Sequence, residues 1–188
     1  MVEYFTQAIV LGREDLNETD SLVYFYTEEL GKVTAKARGL KKPLSKSNPH
    51  LRPLNFVEAR FVAGRNGNYQ LIDALPVNYT SGYSEEKDKN LSFEDSIKLL
   101  KAAEFVKEMT FDFQQDLHLW HGLKKAITSN LEEKVIYRLL LKILGFDLEH
   151  ASCVVCHSLD LAVFHKKDHV FLCGEHSLRA GENEVILV

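Results

Sequence analysis

The sequence predicts an α+β fold: a small five-stranded barrel, then a helical domain, then a compact hairpin carrying a metal site. Three observations predict it. The first 80 residues hold short stretches rich in β-branched and aromatic residues, separated by turn residues, with no long helical period among them. From Ser92 onward, apolar residues recur at helical spacing. All three cysteines fall in the last 36 residues, as one C-x-x-C and one C-x-x-H pair. These shifts divide the chain into 1–80, 81–150 and 151–188, the last segment packed on the helical one.

Taken in order, Ala8-Ile9-Val10-Leu11 is the first strand and Leu22 to Thr27 the second. Glu28-Glu29-Leu30-Gly31-Lys32 turns the chain, with Gly31 suited to a positive φ. Val33 to Arg38 alternates small apolar and polar residues as a returning strand. A basic loop from Gly39 to Pro53, punctuated by Pro43, Pro49 and Pro53, precedes strands at Phe56–Ala63 and Tyr69–Leu75. The Asn-Gly pair within Gly64–Asn68 is a hairpin signal. Tyr79 to Asn90 reads as a polar linker.

Ser92, with Asp95 three positions on, starts a helix whose Leu99, Ala102, Val106 and Met109 share one face. A second helix covers Gln115 to Thr128. A third starts at Asn130, with Glu133 at the capping-box position. It buries Ile136, Leu139, Leu140, Ile143 and Leu144 and ends at Gly145. His118 and His121 lie three apart on the second helix, but the sequence places no third ligand beside them, so they read as surface or packing residues.

Cys153-Val154-Val155-Cys156 and Cys173-Gly174-Glu175-His176 are two tight ligand pairs. Tetrahedral zinc takes four such thiolate and imidazole ligands. A hairpin of Leu161–Phe164 and Val170–Leu172 brings the pairs together. The expectation is one structural zinc held by Cys153, Cys156, Cys173 and His176. His157, His165 and His169 compete for the fourth position, but only His176 completes a symmetrical pair. A redox C-x-x-C would open a helix in a thioredoxin-like unit, a disulfide would leave an odd cysteine, and a deaminase site would need an H-x-E motif; none of these is met.

Net charge is −4, but Lys32 to Arg65 holds nine basic residues and one acid, a segment of +8 in a remainder of −12. Affinity for a polyanion follows the local field, so this block is an electrostatic footprint; its alternative is a solvated lysine-rich loop. The N-terminus lacks the pattern of a secretory signal, and Val135–Phe146, the longest apolar stretch, is too short and too charged to span a bilayer. A soluble, intracellular protein is expected. Glycine-rich phosphate loops and the G-x-S-x-G elbow are absent, and no carboxylate or histidine pairing forms a catalytic motif, so no enzymatic activity is expected.

Several stretches together resemble the RecO family of bacterial recombination mediators. They are Val10–Asp15, Glu18–Val23, Thr27, Gly31-Lys32, Ala37-Arg38-Gly39, the basic loop with Lys41, Lys42, Pro43, Ser45 and Lys46, Leu51-Arg52-Pro53, and Leu141–Phe146 ahead of Cys153-x-x-Cys156. The resemblance runs along nearly the whole chain. It departs at His176, where many members have a fourth cysteine, and after it, where members usually carry further helical sequence beyond what residues 177–188 supply. The resemblance implies that the barrel is a five-stranded OB-fold. It implies a cytoplasmic, nucleoid-associated protein that binds single- and double-stranded DNA and anneals strands. It also implies work with RecR and single-strand-binding protein in loading RecA. OB-folds bind oligonucleotides on strands two and three and the adjoining loops. These carry Lys36, Arg38, Lys41, Lys42, Lys46 and Arg52 as expected phosphate contacts, and Tyr24 and Tyr26 as expected stacking residues, with Val23 and Phe25 in the core. The rival readings are a protein–protein adaptor docking an acidic partner tail, and an RNA-binding zinc-knuckle protein.

Overall fold

The computed structural model describes residues 2–64, 68–77, 92–129, 131–181 and 184–188. The hairpin turn at 65–67, the linker at 79–90 and the Asn130 helix start all fall outside these residues. The chain divides into two compact units, Met1–Ile127 and Thr128–Val188. These units do not follow the composition breaks at 80 and 150.

The first unit is built on a closed barrel of β1 (Glu3–Asp15), β2 (Ser21–Thr27), β3 (Gly31–Ala37), β4 (Phe56–Ala63) and β5 (Tyr69–Pro76), in the order β1-β2-β3-β5-β4. This is the OB-fold barrel expected from the sequence. β3 and β5 pair in parallel and the other pairs are antiparallel. β1 is much longer than its apolar centre suggests, because its two halves serve different neighbours: Glu3–Ile9 pairs with β4 and Ala8–Asp15 with β2, with a bulge between Val10 and Gly12. A bulge bends and twists a strand, which lets one strand belong to both sides of a closed sheet.

Alternation sets the interior. Val23 and Phe25 on β2 are fully buried, as the sequence predicts, Val33 and Ala35 on β3 are buried beside them, and Phe25 meets Phe61 edge-on at 5.1 Å. At the β2–β3 turn, the Thr27 hydroxyl accepts from Leu30 N at 3.0 Å and donates to Gly31 O at 2.9 Å, and Gly31 takes φ +71°.

Two helices complete this unit, α1 (Phe93–Met109) and α2 (Leu117–Thr128). Ser92 caps α1 by accepting from Asp95 N, and Leu99, Ala102 and Val106 are buried, with Met109 only half-buried. Asp116 accepts from His118 N and Leu119 N, so α2 starts two residues later than expected. α1 packs on β1, which explains why Ile9 and Leu11 are buried as completely as Ala8 and Val10.

The second unit holds α3 (Glu133–Ile143), a 3-10 turn at Leu148–His150, and a three-stranded sheet of order β7-β6-β8: β6 (Leu161–His165), β7 (Val170–Cys173) and β8 (Val185–Leu187). A short α4 (Gly174–Ser177) follows β7. α3 buries Ile136, Tyr137, Leu140 and Leu141, while Leu139, Ile143 and Leu144 are half-buried. Its C-terminus closes with Gly145 at φ +90° and Phe146 N donating to Leu141 O at 2.8 Å, as a Schellman cap requires. β8 has no counterpart in the sequence pattern; it extends the expected hairpin by pairing with β6.

Candidate metal centre and nucleic-acid interface

The metal centre lies in the second unit. Cys153 N donates to Ser158 O and His157 N donates to Cys153 O, closing a tight turn in which His157 takes φ +61°. Val154 N donates to Phe171 O, tying this turn to β7. Cys173 ends β7 opposite Leu161 of β6, and α4 then turns His176 back towards it. One ligand atom from each of Cys153, Cys156, Cys173 and His176 lies within 4.8 Å of every other. The Sγ atoms of Cys156 and Cys173 are 3.7 Å apart, and His176 Nδ1 is 3.2 Å from Cys173 Sγ and 3.7 Å from Cys153 Sγ. All three cysteines are free thiols.

None of the rival histidines joins this cluster. His165 is buried between Asp168 at 3.2 Å and Glu184 at 3.5 Å. His169 stacks on Phe164, and His157 is exposed. Among the described residues no other cluster of potential ligands forms, so His118 and His121 belong to none. Burial acts to raise the Cys153 thiol, but backbone N–H groups of Cys156, Cys173 and Val155 outweigh it and bring the thiol to about 6. The Ser158 backbone N–H lowers the Cys156 thiol, but desolvation and the two neighbouring thiols outweigh it and push it up. Three thiols and one imidazole converging in this way can hold one metal ion.

The basic loop between β3 and β4 is pinned rather than free. Leu40 and Leu51 insert into the barrel core. Lys41 N donates to Thr19 O, Leu54 N to Val10 O, and Arg13 Nη1 to Asn48 Oδ1. The expected phosphate contacts then sort into two groups. Lys36 is paired with Asp20 and Lys41 with Asp15, each at 2.8 Å. Arg38, Lys42, Lys46 and Arg52 are exposed and form no ion pair among the described residues. Charge counting misses Arg13, which lies outside the +8 segment; the bond to Asn48 that joins it to the loop crosses 35 residues of sequence.

The outer face of β2 and β3 departs from expectation. Tyr26 is only 1% exposed, and its hydroxyl donates to Asp116 O at 3.3 Å. A ring so enclosed cannot stack on a base, so Tyr26 is a packing residue. Tyr24 is half-buried beneath Lys107, whose Nζ stands 4.7 Å from the ring centre, and burial together with Glu14 raises its hydroxyl pKa. Lys32 Nζ donates to the carbonyls of Lys107 and Thr110 and sits 3.5 Å from Asp112, while Phe113 N donates to Lys32 O. The end of α1 and the α1–α2 connection thus cover the face on which OB-folds commonly lay a strand. The position of this cover cannot be read from the sequence, since it arrives some 80 residues after the strands it meets.

Residues 1–79 match the family described as Recombination protein O N terminal. The chain is 41% identical over 66 residues to the DNA repair protein RecO of Cutibacterium acnes, covering 35% of this chain and 27% of that protein. It is 24% identical over 174 residues to proteins of the same description from Bacillus cereus (strain AH187) and Bacillus anthracis, covering 91% of this chain and 69% of theirs. The match to the Cutibacterium protein thus spans about a quarter of that relative's length.

Proposed function

Through its N-terminal 79 residues the chain belongs to the RecO family, and on that premise we propose that it is a non-enzymatic recombination mediator in DNA repair that grips DNA through the β3–β4 loop. The observation that carries this reading is the set of four exposed cations, Arg38, Lys42, Lys46 and Arg52, that form no ion pair among the described residues and sit on a loop fixed to the barrel through Leu40 and Leu51. A fixed array of cations loses little entropy when it meets a phosphate chain. It carries no base code, so single and double strands of any sequence are its substrates. Indifference to sequence is what strand annealing requires, and what help in loading RecA onto strands coated by single-strand-binding protein, together with RecR, requires. The protein acts in the bacterial cytoplasm at the nucleoid. No described helix is long and apolar enough to cross a membrane.

The metal is one structural zinc. Two thiolates on a tetrahedral zinc stand roughly 3.8 Å apart, and Cys156 and Cys173 match this at 3.7 Å. Four protein ligands leave no position for a reactive water, so the ion holds the β6–β7 hairpin together and takes no part in chemistry.

The test is a titration of the full chain with single-stranded DNA, duplex DNA and RNA across a salt series. Replacing Arg38, Lys42, Lys46 and Arg52 with alanine should weaken binding to every DNA sequence. It should also flatten the log–log salt slope for single strands by about 2.8, at about 0.7 per phosphate contact. Unchanged affinity and slope in that variant would refute the loop as the binding site. The loop would then be assayed against an acidic peptide as an adaptor surface. Tighter binding of RNA than of DNA would replace DNA as the substrate.

A further inference from the structure

The β1–β2 loop places an acid in the middle of the basic platform, and its geometry says what the acid is for. The loop, Leu16-Asn17-Glu18-Thr19-Asp20, is closed in part by hydrogen bonds that do not involve the Asp20 carboxylate. Asn17 Oδ1 accepts from Thr19 N at 2.9 Å and Asp20 N at 2.7 Å, and Asp20 O accepts from Leu16 N at 3.0 Å. The Asp20 side chain, only 15% exposed, faces across to the start of the basic loop instead. Its Oδ1 accepts from Gly39 N at 2.8 Å, and its Oδ2 meets Lys36 Nζ at 2.8 Å. Asn17 Nδ2 and Thr19 Oγ1 complete its shell at 3.3 and 3.2 Å. Next to it, Thr19 O accepts from Lys41 N.

Gly39 stands at φ +64°, so the chain reverses at the residue Asp20 holds. Arg38 precedes that reversal, and Lys42 closes it by donating N–H to Gly39 O at 3.1 Å. The Lys36 ammonium and the Gly39 N–H hold the Asp20 carboxyl well below the usual carboxylate range, so it is charged at neutral pH. A fixed anion beside a phosphate track repels the track, and neutralising it would raise affinity if charge were its only effect.

We infer that Asp20 is a positioning residue for DNA: it fixes the turn Arg38–Lys42 in the conformation that presents Arg38 and Lys42 to the phosphates. The inference rests on the proposed binding role of the loop. Two variants test it because positioning and charge predict opposite signs. Asp20→Asn keeps an oxygen for Gly39 N but releases Lys36; Asp20→Ala releases both. Positioning predicts that single-stranded DNA binds both variants more weakly than wild type, Ala more than Asn. For Asp20→Ala affinity should fall at least about threefold at fixed salt, with a slope flatter by about 0.7 for each phosphate that Arg38 or Lys42 no longer meets. Pure electrostatics predicts tighter binding by both, with a slope steeper by about 0.7 as Lys36 gains a phosphate. Circular dichroism and melting of each variant separate unfolding from altered binding, and Asp20→Asn carries the test if Asp20→Ala does not fold. Equal or tighter binding by folded Asp20→Asn and, where it folds, Asp20→Ala overturns the inference. Wild type that fails to bind, or a fourfold loop variant that binds like wild type, removes the proposed binding site itself and this inference with it.

Discussion

Leu51→Ala tests whether the basic loop is part of the barrel or an appendage to it. Leu51 is completely buried in the barrel core, and Leu40 is nearly so, yet both sit in a segment of lysines and prolines. Removing three buried carbons costs the transfer free energy of the deleted atoms plus a cavity term, about 2–5 kcal/mol for Leu→Ala. The upper half of that range is expected. The site is walled by strands of a closed barrel, whose ladders limit how far the surroundings can collapse into the gap. The control lies in the same loop: Leu44 is 93% exposed, so Leu44→Ala should stay within about 0.5 kcal/mol of wild type. Urea unfolding followed by a barrel probe, such as amide exchange in β2 and β3, measures both on one scale. Leu51→Ala should also weaken DNA binding at temperatures where the barrel is still folded, because Arg52 is its chain neighbour. A Leu51→Ala variant as stable as Leu44→Ala would mean that the loop is not anchored, and the preorganised cation array would fall with it.

Two further outcomes follow from the same structure. Stripping metal with a chelator, or making Cys156→Ser, should abolish amide protection in β6 and β7 while the barrel keeps its own, because two of the four residues in one core cluster of this unit are the ligands Cys153 and Cys173; retained protection, or no zinc by elemental analysis, would count against the site. Gly31→Ala should destabilise the first unit severely, since an added Cβ would stand 2.0 Å from Gln114 O at a residue with φ +71°, whereas Gly12→Ala, with nothing within 4 Å, should cost little; equal melting temperatures for the two would show that the α1–α2 connection does not lie against the β2–β3 turn.

What can be read from the sequence is what has a short period or a fixed spacing. β3 alternates throughout and β2 from Ser21 to Phe25, so Val23 with Phe25, and Val33 with Ala35, are placed on one strand face by their spacing. The ligand pairs are local turns, so Cys153, Cys156, Cys173 and His176 can be named without sight of the hairpin that joins them. The length of β1 is hidden because its C-terminal end is polar, and its N-terminal end, where Tyr4 and Phe5 stand among polar residues, is held as strand by β4 some 50 residues on. The three residues of β8 are too few to show a period. Tyr26 misleads for a deeper reason: alternation says which strand face a residue occupies but not whether another element will cover that face. Lys36 and Lys41 can be counted as cations, but their neutralisation by Asp20 and Asp15 depends on loops meeting in space.

That last point resolves how a chain of net charge −4 presents a site for a polyanion. Of the nine basic residues between Lys32 and Arg65, Lys32 is engaged by the cover over β2–β3, Lys36 and Lys41 by the β1–β2 loop, and Arg60 by Glu3. Arg65 lies outside the described residues. The four that form no ion pair among the described residues, Arg38, Lys42, Lys46 and Arg52, all fall within one 15-residue stretch. Pairing has not diluted the positive field but concentrated it on the pinned loop. At physiological salt, exposed charges more than about 8 Å apart are largely screened from one another. The distant acids of the remainder therefore contribute little at the interface, while the charges on and beside the loop set what a phosphate meets on contact. The covered β2–β3 face removes the usual stacking surface of the barrel, which leaves an interface governed by phosphate contacts. Such an interface should be steep in salt and indifferent to sequence.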